Sequence, residues 1–347
     1  MTLDFGGRLV GDGQPCYVIA EAGANHNRSF ETAIELIDAA ADAKADAIKF
    51  QTYSGASLYS TKAPKFEYLG DLAAEAPHEL LERISLPREW QAQLAAHAAK
   101  RGIHFMSSPF DRQAVDELDA LDVPALKIAS FELVDLGFIE YVGATKRPVI
   151  LSTGMASLGE IEEAIAACRR GGTDQIALLQ CASLYPSPPH IMNLRTIAAM
   201  SAAFGVPVGL SDHTLGTHIS SASIAAGASI IEKHFTLDRS MPGPDHPFAI
   251  EPDELTTLVQ HVRDVEAAMG SSVKRGPSAE EAEEMYSKAR RSIVAATDLP
   301  AGTVIAQEHL CVKRPGFGIA PKFMEAVIGR VVPRDIEADE IITWDHL

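Results

Sequence analysis

The chain has 347 residues, 46% of them hydrophobic and 22% charged, which suits a folded globular protein with one large domain and a smaller one, or with two ordinary domains. Its formal net charge of −17 excludes a general nucleic-acid binder, which needs a basic face, but leaves room for an anionic substrate held by a few Lys and Arg. No apolar run approaches the roughly 20 residues that cross a bilayer, and Cys16, Cys168, Cys181 and Cys311 form no C-x-x-C pair, so a disulfide scaffold or thiolate zinc site is not expected.

The opening "MTLDFGGRLVGDGQP" lacks a basic start and an apolar core, so no signal peptide is expected and a reducing cytoplasm fits best. Its "GGRLVGDGQP" part reads as a short hairpin closing one end of the large domain. From Cys16 the chain alternates between short Ile/Val/Leu-rich runs and longer runs of helical period. The strands are "CYVIAEAG", "AIKFQTY", "HFMSSPF", "ALKIAS", "PVILSTG", "IALLQCAS", "VPVGLSDH" and "SIIEKHFTL". The helices between them include "SFETAIELIDAAADA", "REWQAQLAAHAAKRG", "LGEIEEAIAACRRGG" and "NLRTIAAMSAAFG", and "PDELTTLVQHVRDVEAAMG" follows the eighth strand.

Eight strand–helix units in about 255 residues predict a (β/α)8 TIM barrel. An open doubly wound sheet is the competing architecture, disfavoured by the lack of a G-x-G-x-x-G after the first strand. Residues 54–87 form a long insertion after the second strand, read either as a lid or binding loop or as a surface excursion. The domains are then a barrel over residues 1–270, a polar linker over 271–289 and a compact β-rich unit over 290–347, whose short runs are separated by "LPAG" and "RPGFG" turns.

Barrel enzymes carry their chemistry at the carboxyl ends of the strands, and here the polar residues gather at those ends. In strand order they are Glu21 with the loop residues Asn25, His26 and Asn27; Lys49, Gln51 and Tyr53; Ser107 and Ser108; Lys127 with Ser130 and Glu132; Ser152 and Thr153; Ser183 and Tyr185; Ser211, Asp212 and His213; Glu232, Lys233 and His234. A single polar residue at a strand end usually has only a structural task; eight such ends suggest one shared site.

His213 shares the parity of Ser211 and His234 that of Glu232, so both imidazoles would face inward from neighbouring strands about 5 Å apart. They would suit one Lewis-acid divalent ion with open positions, or a general base and an anion donor. Lys49 and Lys127 would put two ammonium groups in the same hollow. Buried lysines need anionic partners, and a phosphate or carboxylate ligand is the expected one, with Ser108, Ser130, Ser152 and Ser211 donating to its oxygens. A Schiff-base lysine, as in barrel aldolases, is the alternative, and a non-catalytic carbohydrate-binding protein the third.

The motifs "IAEAGANHN", "IKFQTY", "SSPFD", "LKIAS", "ILSTGM", "LYPSP", "GLSDHT" and "EKHFTLD…PGPDH" resemble the sialic acid (nonulosonate) synthase family, and "VKRPGFGI" resembles its antifreeze-like, or SAF, domain. The resemblance implies condensation of phosphoenolpyruvate with an N-acylated amino-hexose such as N-acetylmannosamine, giving a nine-carbon 2-keto acid and phosphate. It implies a divalent ion, Mn2+ before Mg2+ or Co2+, on His213 and His234. Phosphoenolpyruvate contacts would come from Lys49, Ser108, Lys127, Ser130, Ser152, Ser183 and Ser211. Sugar contacts and acid/base carboxylates would come from Glu21, Gln51, Tyr185, Glu232 and Asp245, with Glu132 beside the reacting centre. It further implies a domain-swapped homodimer in which Arg314 of one chain reaches the other's site. Ser183 stands where the family's sixth-strand motif carries Asn, which leaves a legionaminic- or pseudaminic-type sugar open.

Overall fold

Alternation along eight parallel strands sorts the buried residues into an inner and an outer core. The computed structural model describes residues 1–64 and 76–347. It begins with an antiparallel hairpin, β1 (Thr2–Phe5) and β2 (Arg8–Gly11). Then come β3 (Tyr17–Gly23), β4 (Ala47–Thr52), β5 (His104–Pro109), β6 (Leu126–Ile128), β7 (Val149–Ser152), β8 (Ile176–Cys181), β9 (Val208–Asp212) and β10 (Ile230–His234). Parallel ladders order them β5-β4-β3-β10-β9-β8-β7-β6, and the end strands β5 and β6 lie beside each other, so the sheet curls into a barrel. The (β/α)8 expectation holds.

Among the described residues the longer connections between strands, and the segment after the last, carry α1 (Phe30–Asp42), α2 (Gln91–Arg101), α3 (Arg112–Ala120), α4 (Leu136–Gly143), α5 (Leu158–Gly171), α6 (Arg195–Phe204), α7 (His218–Ala225) and α8 (Pro252–Met269). Several starts are fixed locally. The Ser29 hydroxyl accepts from the Thr32 amide, the Asp111 carboxylate accepts from the Ala114 amide, and Ser157 with Glu160 forms a capping box.

The outward residues of the strands, among them Val18, Ile48, Leu126, Leu151, Leu178, Leu210 and Ile231, pack with Leu36, Leu94, Ile161 and Leu258 of the helices. The inward residues form a separate core of Tyr17, Ile19, Ala47, Met106, Ala125, Ile150, Ala177, Leu179 and Ile230. Leu3, Phe5 and Val10 of the hairpin complete it, so β1 and β2 plug the amino-terminal end of the barrel. Burying a side chain the size of Phe5 stabilises by about 2–3 kcal/mol.

The insertion after β4 includes two helices, Gly55–Leu58 and Pro77–Ile84; residues 65–75 of it lie outside the described residues. The chain divides into two compact units, Met1–Gly270 and Ser271–Leu347. The segment read as a linker contains helical turns at Ala279–Glu281, Ala282–Tyr286 and Ser287–Ala289. In the second unit β11 (Ser292–Ala295) pairs antiparallel with β12 (Leu310–Lys313) over a core that includes Ile293, Leu299, Ile305, Ile319, Val332 and Ile342. The buried Ser292 hydroxyl donates to Pro315 O and accepts from the Gly318 amide, which pins the "RPGFG" turn beside Arg314.

Candidate active site

Two residues beyond the apolar inner core, each strand changes chemistry. Ile19 is followed inward by Glu21, Ala47 by Lys49, Met106 by Ser108, Ala125 by Lys127, Ile150 by Ser152, Leu179 by Cys181, and Ile230 by Glu232. Gly209 is followed by Ser211; a Cβ at Gly209 would meet Ile230 O at 2.2 Å, so β9 comes this close to β10 only with glycine there. One further step along the same parity brings Gln51, Ser183, His213 and His234. The ladders set Glu21 opposite both His234 and Lys49, Gln51 opposite Ser108, and Ser211 opposite Glu232.

These side chains form one network. Lys49 Nζ lies 2.7 Å from Glu21 Oε2 and 3.7 Å from Glu232 Oε2, and donates to Ser108 Oγ at 3.1 Å. Lys127 Nζ lies 3.4 Å from Glu232 Oε1, which also accepts from Ser211 Oγ at 3.2 Å. Gln51 Nε2 donates to Glu21 Oε1 at 2.8 Å. The lysines therefore have protein partners already, Glu21 and Glu232, which corrects the expectation that a ligand would be their counter-ion. Nearby polar strand residues often lack that inward parity. Ser107 bonds Thr52 on the helix side, and Thr153 Oγ1 donates to Leu179 O.

The case for a ligand rests instead on buried polar atoms with no hydrogen-bond partner among the described residues. Ser152 Oγ, Ser183 Oγ, Glu132 Oε2 and His234 Nδ1 are all of this kind. Such atoms cost about 1–3 kcal/mol each unless something binds them. The Gly154 amide donates to Ser130 Oγ at 3.0 Å, and a Cβ at Gly154 would meet Ser183 Oγ at 2.4 Å and Ser130 Oγ at 2.8 Å. The hydroxyls of Ser130, Ser152 and Ser183 thus come from the carboxyl ends of neighbouring β6, β7 and β8, a donor set suited to an anion.

The His213 and His234 rings sit 5.3 Å apart, centre to centre. His213 Nδ1 donates to Ala182 O at 2.9 Å, which fixes the tautomer and leaves Nε2 as the lone-pair donor. The Tyr185 ring lies 4.3 Å from His213, tilted by 42°, and Phe248 lies 5.0 Å from His234, centre to centre. Asp245 Oδ2 is 3.8 Å from His234 Nδ1, too long for a hydrogen bond but close enough to put a carboxylate beside the ring. Among the described residues no group of three or more His, Cys, Asp or Glu gathers in metal-ligating geometry. Two imidazoles, one oriented by Ala182 O and one with an unpartnered nitrogen among the described residues, fit a divalent ion with most of its positions open.

Burial shapes the electrostatics. Desolvation pushes the Glu21 carboxyl up to about 7, and Lys49 offsets only part of it. Burial alone would raise Glu232, but Lys127, Lys49 and His213 outweigh it and hold it ionised. Burial lowers the Lys127 ammonium, whereas Glu21 and Glu232 overcome burial to raise Lys49. Burial, with His213 and the nearby lysines, keeps His234 neutral. Glu132 rises to about 7 and Asp245 to about 6, each chiefly through burial.

The loop residues Asn25, His26 and Asn27 are structural. Asn25 Nδ2 donates to Phe235 O, His26 Nδ1 accepts from the Arg28 amide, and Asn27 Oδ1 accepts from His246 Nε2. Arg314 belongs to the second unit, exposed just after β12. Sequence reasoning passed over Cys181, whose inward parity with Ser183 could have flagged it; its Sγ lies 3.8 Å from His213 Nδ1.

Residues 36–274 match the family model described as the NeuB family, and residues 290–347 match the SAF domain. The chain is 40% identical over 329 residues to the N,N'-diacetyllegionaminic acid synthase of Campylobacter jejuni, covering 94% of this chain and 98% of that one. It is 35% identical over 337 residues to the pseudaminic acid synthase of Helicobacter pylori, covering 96% and 98%. The crystal structure of the N-acetylneuraminic acid (sialic acid) synthetase of Leptospira borgpetersenii, in complex with citrate, superposes with a TM-score of 0.72 at 34% identity, covering 82% of this chain and 95% of that one.

Proposed function

The chain belongs to the NeuB family and carries a C-terminal SAF domain, and from that premise we propose that it condenses phosphoenolpyruvate with an N-acylated amino-hexose, releasing phosphate and a nine-carbon 2-keto sugar acid. The observation that carries this reading is the polar layer of the barrel mouth. There a pair of imidazoles, the Lys49 and Lys127 ammonium groups and the unpartnered Ser152 and Ser183 hydroxyls share one hollow.

In this reading Lys49, Ser108, Lys127, Ser130, Ser152, Ser183 and Ser211 bind the phosphate and carboxylate of phosphoenolpyruvate. Gln51, Glu21, Tyr185, Glu232 and Asp245 contact the open-chain sugar. A divalent cation on His213 and His234, Mn2+ ahead of Mg2+ or Co2+, would supply Lewis acidity to the aldehyde oxygen. The enol C3 attacks the aldehyde carbon, forming one C–C bond, and the former carbonyl oxygen becomes a hydroxyl. Glu21, partly protonated near neutral pH, gives it that proton. Water adds at C2 and loses its proton to Glu132. The C2–O bond to phosphate then breaks as the new C2 hydroxyl gives its proton to the departing phosphate, leaving the keto acid.

Identity is higher to the legionaminic enzyme than to the pseudaminic or sialic ones, which favours a legionaminic-type precursor as the second reading of the sugar. A homodimer belongs to the same proposal, with Arg314 of the partner subunit at the sugar's acyl group. Exposed Phe131, Val134, Met155, Leu184 and Leu215, all in loops after barrel strands, support it as an apolar rim awaiting cover. Cytoplasmic residence agrees with four free cysteines.

The test is incubation with phosphoenolpyruvate, Mn2+ and a panel of N-acylated amino-hexoses, following phosphate release and product mass. One sugar should give phosphate and the keto acid in equal amounts. No phosphate with any sugar, or an adduct trapped by borohydride on Lys49 or Lys127, would overturn the reading.

A further inference from the structure

Behind the two histidines, on the helix-facing side of the sheet, lies a charged pair that the proposed chemistry does not use. Asp212 and Lys233 immediately precede His213 and His234, so strand alternation turns them away from the mouth. They are 0% and 1% exposed and lie opposite each other in the β9–β10 ladder. Lys233 Nζ lies 3.1 Å from Asp212 Oδ2 and also donates to Thr214 O. Asp212 Oδ1 accepts from the Thr214 amide at 2.8 Å, and Oδ2 accepts from Ser220 Oγ of α7. One buried pair therefore ties the end of β9, the turn after it, the start of α7 and the end of β10.

Stability alone does not explain such a pair, because well-packed apolar residues of similar volume often serve as well in a buried site or better. What an apolar pair would lack is direction. Each contact here fixes backbone within two residues of an imidazole. Displacing that backbone by about 1 Å would move the ring tips by a comparable amount, enough to spoil a shared coordination geometry.

We infer that Asp212 and Lys233 are positioning residues that hold His213 and His234 at the separation needed to share one divalent cation. This rests on the two-histidine cation site proposed above. Groups that orient metal ligands typically contribute 10- to 100-fold in metal affinity.

The test compares the full chain with the double variant Asp212→Leu, Lys233→Met. Free Mn2+ is titrated by electron paramagnetic resonance, phosphoenolpyruvate affinity is measured separately, and thermal melting reports folding. The expected result is a melting temperature equal to or above that of the parent, phosphoenolpyruvate affinity within about twofold, and Mn2+ affinity at least tenfold weaker. Unchanged Mn2+ affinity in the folded variant, or equal loss of both ligands, overturns the inference while leaving the cation site standing. A parent chain that binds no Mn2+ overturns both. Should the double variant fail to fold, Asp212→Asn, which keeps the volume but leaves the Lys233 charge without its carboxylate, is expected to melt lower than the parent while Mn2+ affinity falls at least tenfold and phosphoenolpyruvate affinity stays within about twofold, with the same reversal.

Discussion

Glu132 joins burial to proton affinity. Its unfolded carboxyl titrates near 4.5, and in the folded chain burial pushes it up to about 7. Between those values the folded state keeps a proton that the unfolded state has released, so stability falls as pH rises through that window and the deficit stays constant above it. Glu132→Gln should therefore raise stability by about 1–3 kcal/mol at pH 8 and change it little at pH 4, as read by urea unfolding at both pH values. As the proposed base, Glu132 is active when ionised. The rising limb of kcat/KM near pH 7 should vanish in the same variant, and a surviving limb would assign it to another group. His213→Ala and His234→Ala should each abolish Mn2+ uptake and cut turnover by roughly 10³-fold or more. Full activity of a chelated, metal-free preparation would contradict that outcome. His213 and His234 were legible from strand parity and Glu132 from the family resemblance, just beyond its strand in the turn Ser130–Glu132, but the partners of the lysines were not. Glu21 and Glu232 meet Lys49 only because β3, β4 and β10 are neighbours around the barrel.

The elements divide the work between the two ends of the barrel. The β1–β2 hairpin fills the amino-terminal end, where Leu3, Phe5 and Val10 pack on the apolar inner core. Phe5→Ala should leave a cavity costing about 3–5 kcal/mol in denaturant unfolding, while phosphoenolpyruvate affinity stays within about twofold. Loss of that affinity in the folded variant would mean the plug also shapes the mouth. The eight strands are readable because short apolar runs stopped by turn residues have few other structures open to them, whereas the hairpin, expected within residues 6–15, forms instead from Thr2–Phe5 and Arg8–Gly11. The loop "NHN" resembles part of the mouth in sequence and is not part of it in the fold. Its Asn and His side chains bond the backbone and side chains of the β3 and β10 loops, which no local pattern distinguishes from ligand contacts.

At the scale of the molecule, the two compact units each carry their own apolar core. Removing residues 290–347 should therefore leave a folded barrel. In the proposed dimer the sugar, rather than phosphoenolpyruvate, loses a contact, that of Arg314 of the partner subunit. The truncated chain should have a sugar KM raised about tenfold or more, with phosphoenolpyruvate binding changed far less. Steady-state kinetics on both substrates decide it, and equal loss on the two would remove the capping role.

By itself the sequence determined the strand–helix alternation and the side of each strand on which a residue lies, because a pleated strand has a period of two whatever surrounds it. That was enough to name His213, His234, Lys49, Lys127 and the serines as residues facing one hollow. Only the tertiary structure decided which charges neutralise one another, which hydroxyls are left without partners, and that Asp212 meets Lys233 behind the histidines. Those outcomes depend on register and on the order of strands around the barrel, and distances set by closure of a sheet are not written in any one strand.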